Sequence, residues 1–273
     1  MKSDILVTGS QGYIGKHLVK MLNSTDKYNV YTLDISDINV DFNIDICDSL
    51  DVMSVGSYKK FDTIIHLAAL VRMNESVQYP EKYYDTNILG TANILKYIEF
   101  KNFVFASTGG AETPTNPYGL SKRAAEDVVR QFAPDNSTIF RFYNVTGTDG
   151  FPPTNPDGLL FNLINSIKTG SFDLYGTDYN TKDGTALREY VHVNDICRAL
   201  IKAISQSSLM IENLAYGEPK TVFEIINKFK EVNLVNFDVV SKPRRDGDAE
   251  SMFLKHPSIY MERNYTYDQL LVI

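Results

Sequence analysis

Ile5-Leu6-Val7-Thr8-Gly9-Ser10-Gln11-Gly12-Tyr13-Ile14-Gly15 is the stretch whose reading decides the fold. Its first four residues read as a buried strand, and Tyr13 to Leu22 reads as a helix. Three glycines at intervals of three join them. Glycine spacing alone is weak evidence, because any strand-to-helix turn uses glycine. A strand directly before and a helix directly after supply the context that a dinucleotide site requires. Gly9 permits the tight turn, Gly12 lets backbone approach a pyrophosphate at the helix N-terminus, and Gly15 lets helix and strand pack closely. Tyr13 and Ile14, which open the helix, are counted with them as cofactor contacts.

Outward from this stretch, Val30-Tyr31-Thr32-Leu33 forms a second strand and Asp34 ends it. A carboxylate there accepts hydrogen bonds from an adenosine ribose and repels the 2′-phosphate of NADP, and no Arg follows to reverse that preference. NAD is the expected cofactor. Asp45-Ile46 follows a third strand, where an acidic residue meets the adenine unless it is simply a surface aspartate. Further strands are read at Thr63 to Leu67, Phe103 to Ala106 and Thr138 to Phe142. Helices are read from about Tyr79 to Ile98 and from Tyr118 to Phe132. Strands alternating with helices of this length predict an α/β fold, a Rossmann-type doubly wound parallel sheet. The continuous apolar character of the strands fits a sheet covered on both faces.

Composition shifts after Asn144. Residues 147–158 are rich in Gly, Pro, Thr and Asp and read as a loop, and shorter, less regular elements follow. The expected division is an NAD-binding domain at 1–146 and a smaller C-terminal α/β substrate lobe at 147–273, with the chain returning to the main sheet around 187–205.

A chain of 273 residues affords a substantial core. Its formal charge of −7 argues against a nucleic-acid partner, and a basic cluster such as Arg244-Arg245 is too small for a DNA or RNA footprint. Cys47 and Cys197 lack metal-type spacing and read as reduced thiols, so no metal site is expected. Met1-Lys2-Ser3-Asp4 lacks the apolar run of a secretory leader, and the longest apolar stretch, around Leu67 to Val71, is far too short to span a bilayer. A cytoplasmic protein without membrane partners is expected.

Three Tyr-x-x-x-Lys pairs occur. Tyr97/Lys101 straddles a helix end, and Tyr216/Lys220 is interrupted by Pro219. Tyr118/Lys122 alone lies just downstream of a buried strand ending in Ser107-Thr108, at the start of a helix, so the two side chains share a face. A tyrosine merely packed at a helix start is the plainer alternative. The chemical reading is a base: a phenol near pKa 10 is roughly 4 kcal/mol short of ionisation at pH 7. A lysine ammonium and an oxidised nicotinamide nearby both favour the phenolate. The Thr108 hydroxyl is placed to hold the substrate oxygen in line.

With these residues the sequence resembles the extended short-chain dehydrogenase/reductase superfamily, and within it the UDP-glucose 4-epimerase branch. The stretches that carry the resemblance are Thr-Gly-Ser-Gln-Gly-Tyr-Ile-Gly (8–15), Ile-His-Leu-Ala-Ala-Leu (65–70), Glu-Ser-Val-Gln-Tyr-Pro (75–80) and Tyr-Tyr-Asp-Thr-Asn-Ile-Leu-Gly-Thr (83–91). Pro-Tyr-Gly-Leu-Ser-Lys (117–122), Arg-Phe-Tyr-Asn (141–144), Asp-Gly-Thr-Ala-Leu-Arg-Glu-Tyr-Val-His-Val (183–193) and Pro-Arg-Arg-Asp-Gly-Asp (243–248) continue it. The glycine and Tyr/Lys motifs mark the superfamily; the 183–193 block is more specific to the epimerase branch.

The resemblance implies a catalytic set of Thr108, Tyr118 and Lys122. It implies NAD contacts at Gly9, Gly12, Gly15, Asp34, Asp45, Ile46, Leu67, Ala68, Ala69, Asn87 and Lys122. It implies UDP contacts at Asn144, Arg188, Arg245 and Asp248, with Tyr175 near the uracil. Arginine forks suit a diphosphate, and an aspartate suits ribose hydroxyls. The implied reaction is inversion at carbon 4 of a UDP-hexose through a 4-keto sugar. A homodimer packed through the helices at about 80–98 and 118–132 is also implied. A nucleotide-sugar 4,6-dehydratase or decarboxylase is the alternative, but dehydratases carry Asp-Glu directly after the active-site Thr, where this chain has Gly109-Gly110. A catalytically weak NAD-binding regulator is the third reading, and the intact Thr/Tyr/Lys set speaks against it. Departures from the family pattern are the short segment between Thr108 and Tyr118, Val145-Thr146-Gly147 after Arg-Phe-Tyr-Asn, and Gly158-Leu159-Leu160 where many epimerases carry Asn. None of the four histidines is assigned to catalysis: His17 and His66 read as structural, His192 as packing or hydrogen-bonding near the UDP arginine, and His256 lies in a weakly matched tail.

Overall fold

Ile5, Leu6 and Val7 have no exposed surface, which requires their strand to be covered on both faces. The computed structural model, which describes residues 2–133, 135–206, 209–245, 247–254 and 258–273, places that strand inside a seven-stranded sheet. The first part of the chain runs β1 (Ser3–Thr8), α1 (Tyr13–Asn23), β2 (Tyr28–Asp34), β3 (Phe42–Asn43), α2 (Ser49–Tyr58), β4 (Phe61–His66), α3 (Met73–Gln78), α4 (Pro80–Tyr84), α5 (Thr91–Tyr97), β5 (Phe100–Thr108), α6 (Pro117–Phe132) and β6 (Ser137–Phe142). It continues with β7 (Asn144–Thr146), α7 (Leu159–Thr169), β8 (Ser171–Tyr175), β9 (Leu187–Arg188), β10 (Tyr190–His192), α8 (Val193–Ala203) and β11 (Met210–Leu214). The last elements are β12 (Lys220–Thr221), α9 (Val222–Asn233), β13 (Asp238–Lys242) and β14 (Ser251–Met252).

Strand order in the large sheet is β11-β6-β5-β4-β1-β2-β3, and the β1–β2, β1–β4, β2–β3 and β4–β5 pairings are parallel. The order reverses between β1 and β4, so the carboxyl ends of these strands open the crevice in which a doubly wound sheet binds ligands. Leu6, Ile64, Phe103, Phe105 and Ile139 from the sheet pack with Val52, Ile94, Ala125 and Val129 from the helices in one apolar core.

Two compact units emerge. One comprises Met1–Arg141 with Cys197–Glu212, the other Phe142–Ile196 with Asn213–Ile273. The boundary therefore falls at 141/142 rather than 146/147, and the returning segment is 197–212 rather than 187–205. The reason lies in pairing: β7 bonds to β10 in a separate two-stranded sheet, so Asn144 to Thr146 already belong to the second unit. That unit also holds the parallel pair β8–β13 and the small sheet β12-β9-β14. Residues 147–158 contain no helix or strand, and His256 lies outside the described residues. No helix among the described residues is long and apolar enough to cross a membrane.

The helix expected from 79 to 98 is not continuous. A π-helical turn, Asp85–Gly90, separates α4 from α5. Widened turns of this kind concentrate at functional positions. Here the turn carries Asn87, whose amide donates to the Leu70 carbonyl at 3.0 Å and to Ser121 Oγ at 2.9 Å. A regular helical period in the sequence does not reveal such a turn.

One buried ion pair fastens α6 to the sheet. Arg141 on β6 makes two 2.8 Å bonds to Glu126 on α6, and Ser107 on β5 donates to the same carboxylate at 2.6 Å. Removing one partner of such a pair costs about 3–5 kcal/mol, whereas an apolar replacement of both is far milder. Glu126→Leu and Arg141→Met are each expected to destabilise by that order, and the double variant to recover most of the loss. Urea denaturation of the four proteins checks the cycle; additive losses count against a coupled pair.

Candidate active site

Gly9 adopts a φ of +68°, and a Cβ there would sit 2.6 Å from the Ala68 nitrogen. Only glycine fits. At Gly15 a Cβ would lie 2.2 Å from the Gly9 carbonyl oxygen, so α1 rests directly on the loop. The helix begins at Tyr13 with no side-chain cap, leaving its first N–H groups for a ligand. A cavity of about 510 Å³ opens over this turn. Of the cofactor residues expected from sequence, Gly9, Gly12, Asp34, Asp45, Ile46, Leu67, Ala68 and Ala69 line it. The size suits part of a dinucleotide. Asp34 is set by hydrogen bonds from the Gln11 N–H at 2.9 Å and the Ser36 N–H at 3.0 Å. A glycine cradle with a fixed carboxylate at its rim fits NAD.

Tyr13, Ile14, Gly15, Asn87 and Lys122 are not in the walls of this cavity. Asn87 is fully buried, and its side chain is consumed by the Leu70 N–H at 2.9 Å, the Leu70 carbonyl and Ser121. It shapes the wall through Leu70 and does not face the cavity itself. Sequence reading missed Gln11, Lys16, Ser36, Ile38, Leu70 and Thr86, which also line it. Gln11 sits inside the glycine motif, and its backbone bond to Asp34 is the signal that a pattern search passes over.

The chemical residues stand at the end of β5 and the start of α6. Asn116 caps α6 by accepting from the Gly119 N–H at 2.9 Å, and Pro117 occupies the first turn, where its missing donor is harmless. This places Tyr118 at the helix start and Lys122 one turn on. The Tyr118 N–H donates to Ser76 Oγ at 3.1 Å. Thr108 Oγ1 accepts from the Gly110 N–H at 3.3 Å. Burial pushes the Tyr118 phenol up to about 12, and the Thr108 hydroxyl opposes the rise. Lys122 is 3% exposed, its ammonium 4.1 Å from the centre of the Phe105 ring. Burial lowers its pKa to about 7, and the charge of Glu126 resists the fall.

The expected UDP residues lie in the second unit. Arg188 donates to the Leu187 carbonyl at 2.9 Å, the Ala249 carbonyl at 2.6 Å and the Glu250 carbonyl at 3.3 Å. Its guanidinium holds backbone instead of presenting an unused fork. Arg245 and Asp248, expected as separate ligands, pair with each other at 2.8 Å. The Arg245 guanidinium lies 4.9 Å from the Tyr175 ring centre. Arg244, not singled out from sequence, lies 4.0 Å from the Tyr179 ring centre and bonds Asp178 at 2.7 Å. The Asn144 amide donates to the Glu189 carbonyl at 2.9 Å. The rest of the 183–193 block is structural: Asp183 accepts from Thr185 and Thr221, and Glu189 accepts from the Tyr216 and Glu218 N–H groups. His192 stacks on Tyr265 at 3.5 Å.

Comparison with known proteins agrees with this geometry. The NAD dependent epimerase/dehydratase family matches residues 5–216. UDP-glucose 4-epimerase 4 of Oryza sativa subsp. japonica is 32% identical over 91% of this chain and 82% of its own length. The UDP-Glc/GlcNAc 4-epimerase of Campylobacter jejuni superposes with a TM-score of 0.81 at 28% identity, covering 98% of this chain and 96% of that one. The UDP-glucose 4-epimerase of Bifidobacterium longum, solved with NAD+ and UDP, superposes at 0.85 with 25% identity over the same shares.

The depressed Lys122 has a consequence for stability. Between pH 7 and 10.5 the unfolded chain holds a proton that the folded chain releases, so stability rises with pH across that window. Below it the full cost of burying the charge, on the order of a few kcal/mol, is present. Lys122→Met is expected to raise the melting temperature most at pH 6 and to lose its advantage towards pH 10. Paired melts across that range check the sign; an advantage that grows with pH overturns it.

Proposed function

We propose, from the premise that the chain belongs to the NAD dependent epimerase/dehydratase family, that Thr108, Tyr118 and Lys122 carry out inversion at carbon 4 of a UDP-hexose. The chain is an NAD-dependent UDP-hexose 4-epimerase; its relatives named for that activity support the reading. NAD, when bound, supplies a hydride acceptor that is restored in the return step, so it is recycled.

The chain's own residues do the rest. Tyr118 Oη takes the carbinol proton, then gives it back on the other face. Thr108 donates to the phenolate oxygen and aligns the sugar hydroxyl. The Lys122 charge reduces the cost of the phenolate. The Gly9–Gly12 backbone and the first turn of α1 receive the pyrophosphate, Asp34 the adenosine ribose, and Asp45 with Ile46 the adenine. Asn144, Tyr175, Arg188, Arg245 and Asp248 are assigned to UDP. Arg188 acts in part by holding the backbone at 249–250, and Arg245 and Asp248 exchange their mutual bond for diphosphate and ribose. Binding energy concentrated on uridine and diphosphate leaves the hexose able to turn.

The observation that carries the reading is the placement of Thr108 at the end of β5 and Tyr118 at the start of α6, with Lys122 buried one turn along the same helix. Dehydration finds no support: Gly109 and Gly110 form a 3-10 turn after Thr108, and Glu112 is exposed. A homodimer through the helices at 80–98 and 118–132 is part of the proposal. Tyr84, Leu89, Leu120 and Phe132 are exposed on those segments and give a second copy apolar surface to cover. Two free thiols accord with the cytosol.

Tyr118→Phe is expected to lower turnover of UDP-glucose by about 10²–10⁴-fold, the usual share of general acid-base catalysis, with UDP affinity retained. Unaltered turnover removes the tyrosine from the mechanism, and a deoxy-keto product in place of UDP-galactose assigns the dehydratase branch. Light scattering at micromolar concentration is expected to give the mass of a dimer; a clean monomer rejects that part.

A further inference from the structure

Thr8, His66, Thr91 and Asn87 form an uninterrupted buried chain of hydrogen bonds in the first unit, and its direction can be read. The Thr91 hydroxyl has a single proton, which goes to the Asn87 carbonyl at 2.7 Å. The 3.1 Å contact between Thr91 Oγ1 and His66 Nε2 must therefore be donated by the histidine. His66 Nδ1 is then the unprotonated nitrogen, and Thr8 Oγ1 donates to it at 2.7 Å while accepting from the Ala68 N–H at 3.2 Å. Every donor points the same way, from the backbone that closes over Gly9 to the π-turn at 85–90. Beyond that turn the Asn87 amide donates to Ser121 Oγ, which donates to the Tyr118 carbonyl at 2.8 Å.

All four side chains have at most 1% of their surface exposed. The ring of His66 packs 5.8 Å from Phe105 and 5.8 Å from Phe103, so it is fixed in plane as well as by its nitrogens. Burial, and secondarily the charge of Lys122, hold the imidazole down at about 3, well below its ordinary range, so it stays neutral. An imidazolium has two donors and no acceptor, and would set its Nδ1–H against the Thr8 hydroxyl proton.

We infer that His66 is a positioning residue for the reaction: as a neutral Nε2–H tautomer it ties the Thr8–Gly9 turn to the π-turn, whose Asn87 braces the helix that carries Tyr118 and Lys122. A histidine suits the place because one rigid ring accepts on one side and donates on the other. The link sets two things in register, the backbone that receives the dinucleotide and the helix that supplies the base. The kinetic part rests on the epimerase reading; the tautomer and the NAD affinity do not.

The test uses the full chain, with NAD and UDP as probes. In the wild type, long-range proton–nitrogen NMR of selectively labelled histidine is expected to show a ring with Nδ1 bare and Nε2 protonated whose signals are lost in His66→Gln. An Nδ1–H ring or an imidazolium at this position overturns the inference. Thr91→Val cuts the link while nearly keeping shape, and is expected to weaken NAD binding about fivefold and lower kcat about tenfold. UDP affinity is expected to be unchanged. His66→Gln, which keeps a donor and an acceptor, is expected to fall between Thr91→Val and wild type. A folded Thr91→Val protein with wild-type NAD affinity and kcat, or equal losses in NAD and UDP binding, reduces His66 to a packing residue and overturns the proposal. Should Thr91→Val not fold, the wild-type tautomer still decides. Should the wild type fail to turn over UDP-glucose, the epimerase reading falls while NAD affinity and tautomer still judge His66.

Discussion

Taking the Tyr118 phenol and the Lys122 ammonium out of water pulls their proton affinities in opposite directions, the phenol up to about 12 and the ammonium down to about 7. Both shifts work against a phenolate facing a cation. At a pKa near 12 the phenolate lies roughly 7 kcal/mol out of reach at neutral pH, against about 4 for an ordinary tyrosine. On the proposed mechanism that deficit has to be met by positive charge near the phenol, which a charged Lys122 and an oxidised nicotinamide would supply. Glu126 bears on the first of these. Although shared with Arg141, its charge is what holds the lysine up.

The same burial explains the density of polar accounting around the end of β5. A hydroxyl or amide without a partner there forfeits about 1–3 kcal/mol. The site is accordingly built from side chains bonded to one another or to backbone, such as Ser107 to Glu126 and Asn87 to Leu70 and Ser121. Groups secured in this way stay in register while the reacting groups change charge, which is the condition for electrostatic stabilisation without reorganisation.

This accounting also marks where the sequence is legible. Strands β1, β4, β5 and β6 are readable because central parallel strands are apolar on both faces, and Gly9 and Gly15 because a Cβ at either has nowhere to go. Tyr118 and Lys122 are readable from context, since a buried strand ends shortly before them. The π-turn is not: residues 85–90 carry an ordinary helical period, and the partners of Asn87 within it, Leu70 and Ser121, are remote in sequence. Asn87 was read as a cofactor contact on its motif, yet its amide is fully used in bracing. Arg188, bonded to backbone, and Asp248, paired with Arg245, show the same limit, because a motif records that a residue type is needed and not what it serves.

The short segment between β5 and α6 invites the thought that the site is incomplete. Its contacts indicate otherwise. At one end Thr108 receives the Gly110 N–H; at the other Asn116 caps α6, and Arg123 reaches back to the Ala111 carbonyl at 3.3 Å. A Cβ on Gly119 would lie 2.9 Å from the Gly110 carbonyl, so the segment lies hard against the helix start. A shorter connection loses less entropy on ordering than a long one. The segment between Thr108 and Tyr118 is thus a short connection secured at both ends, which holds the end of β5 against the start of α6.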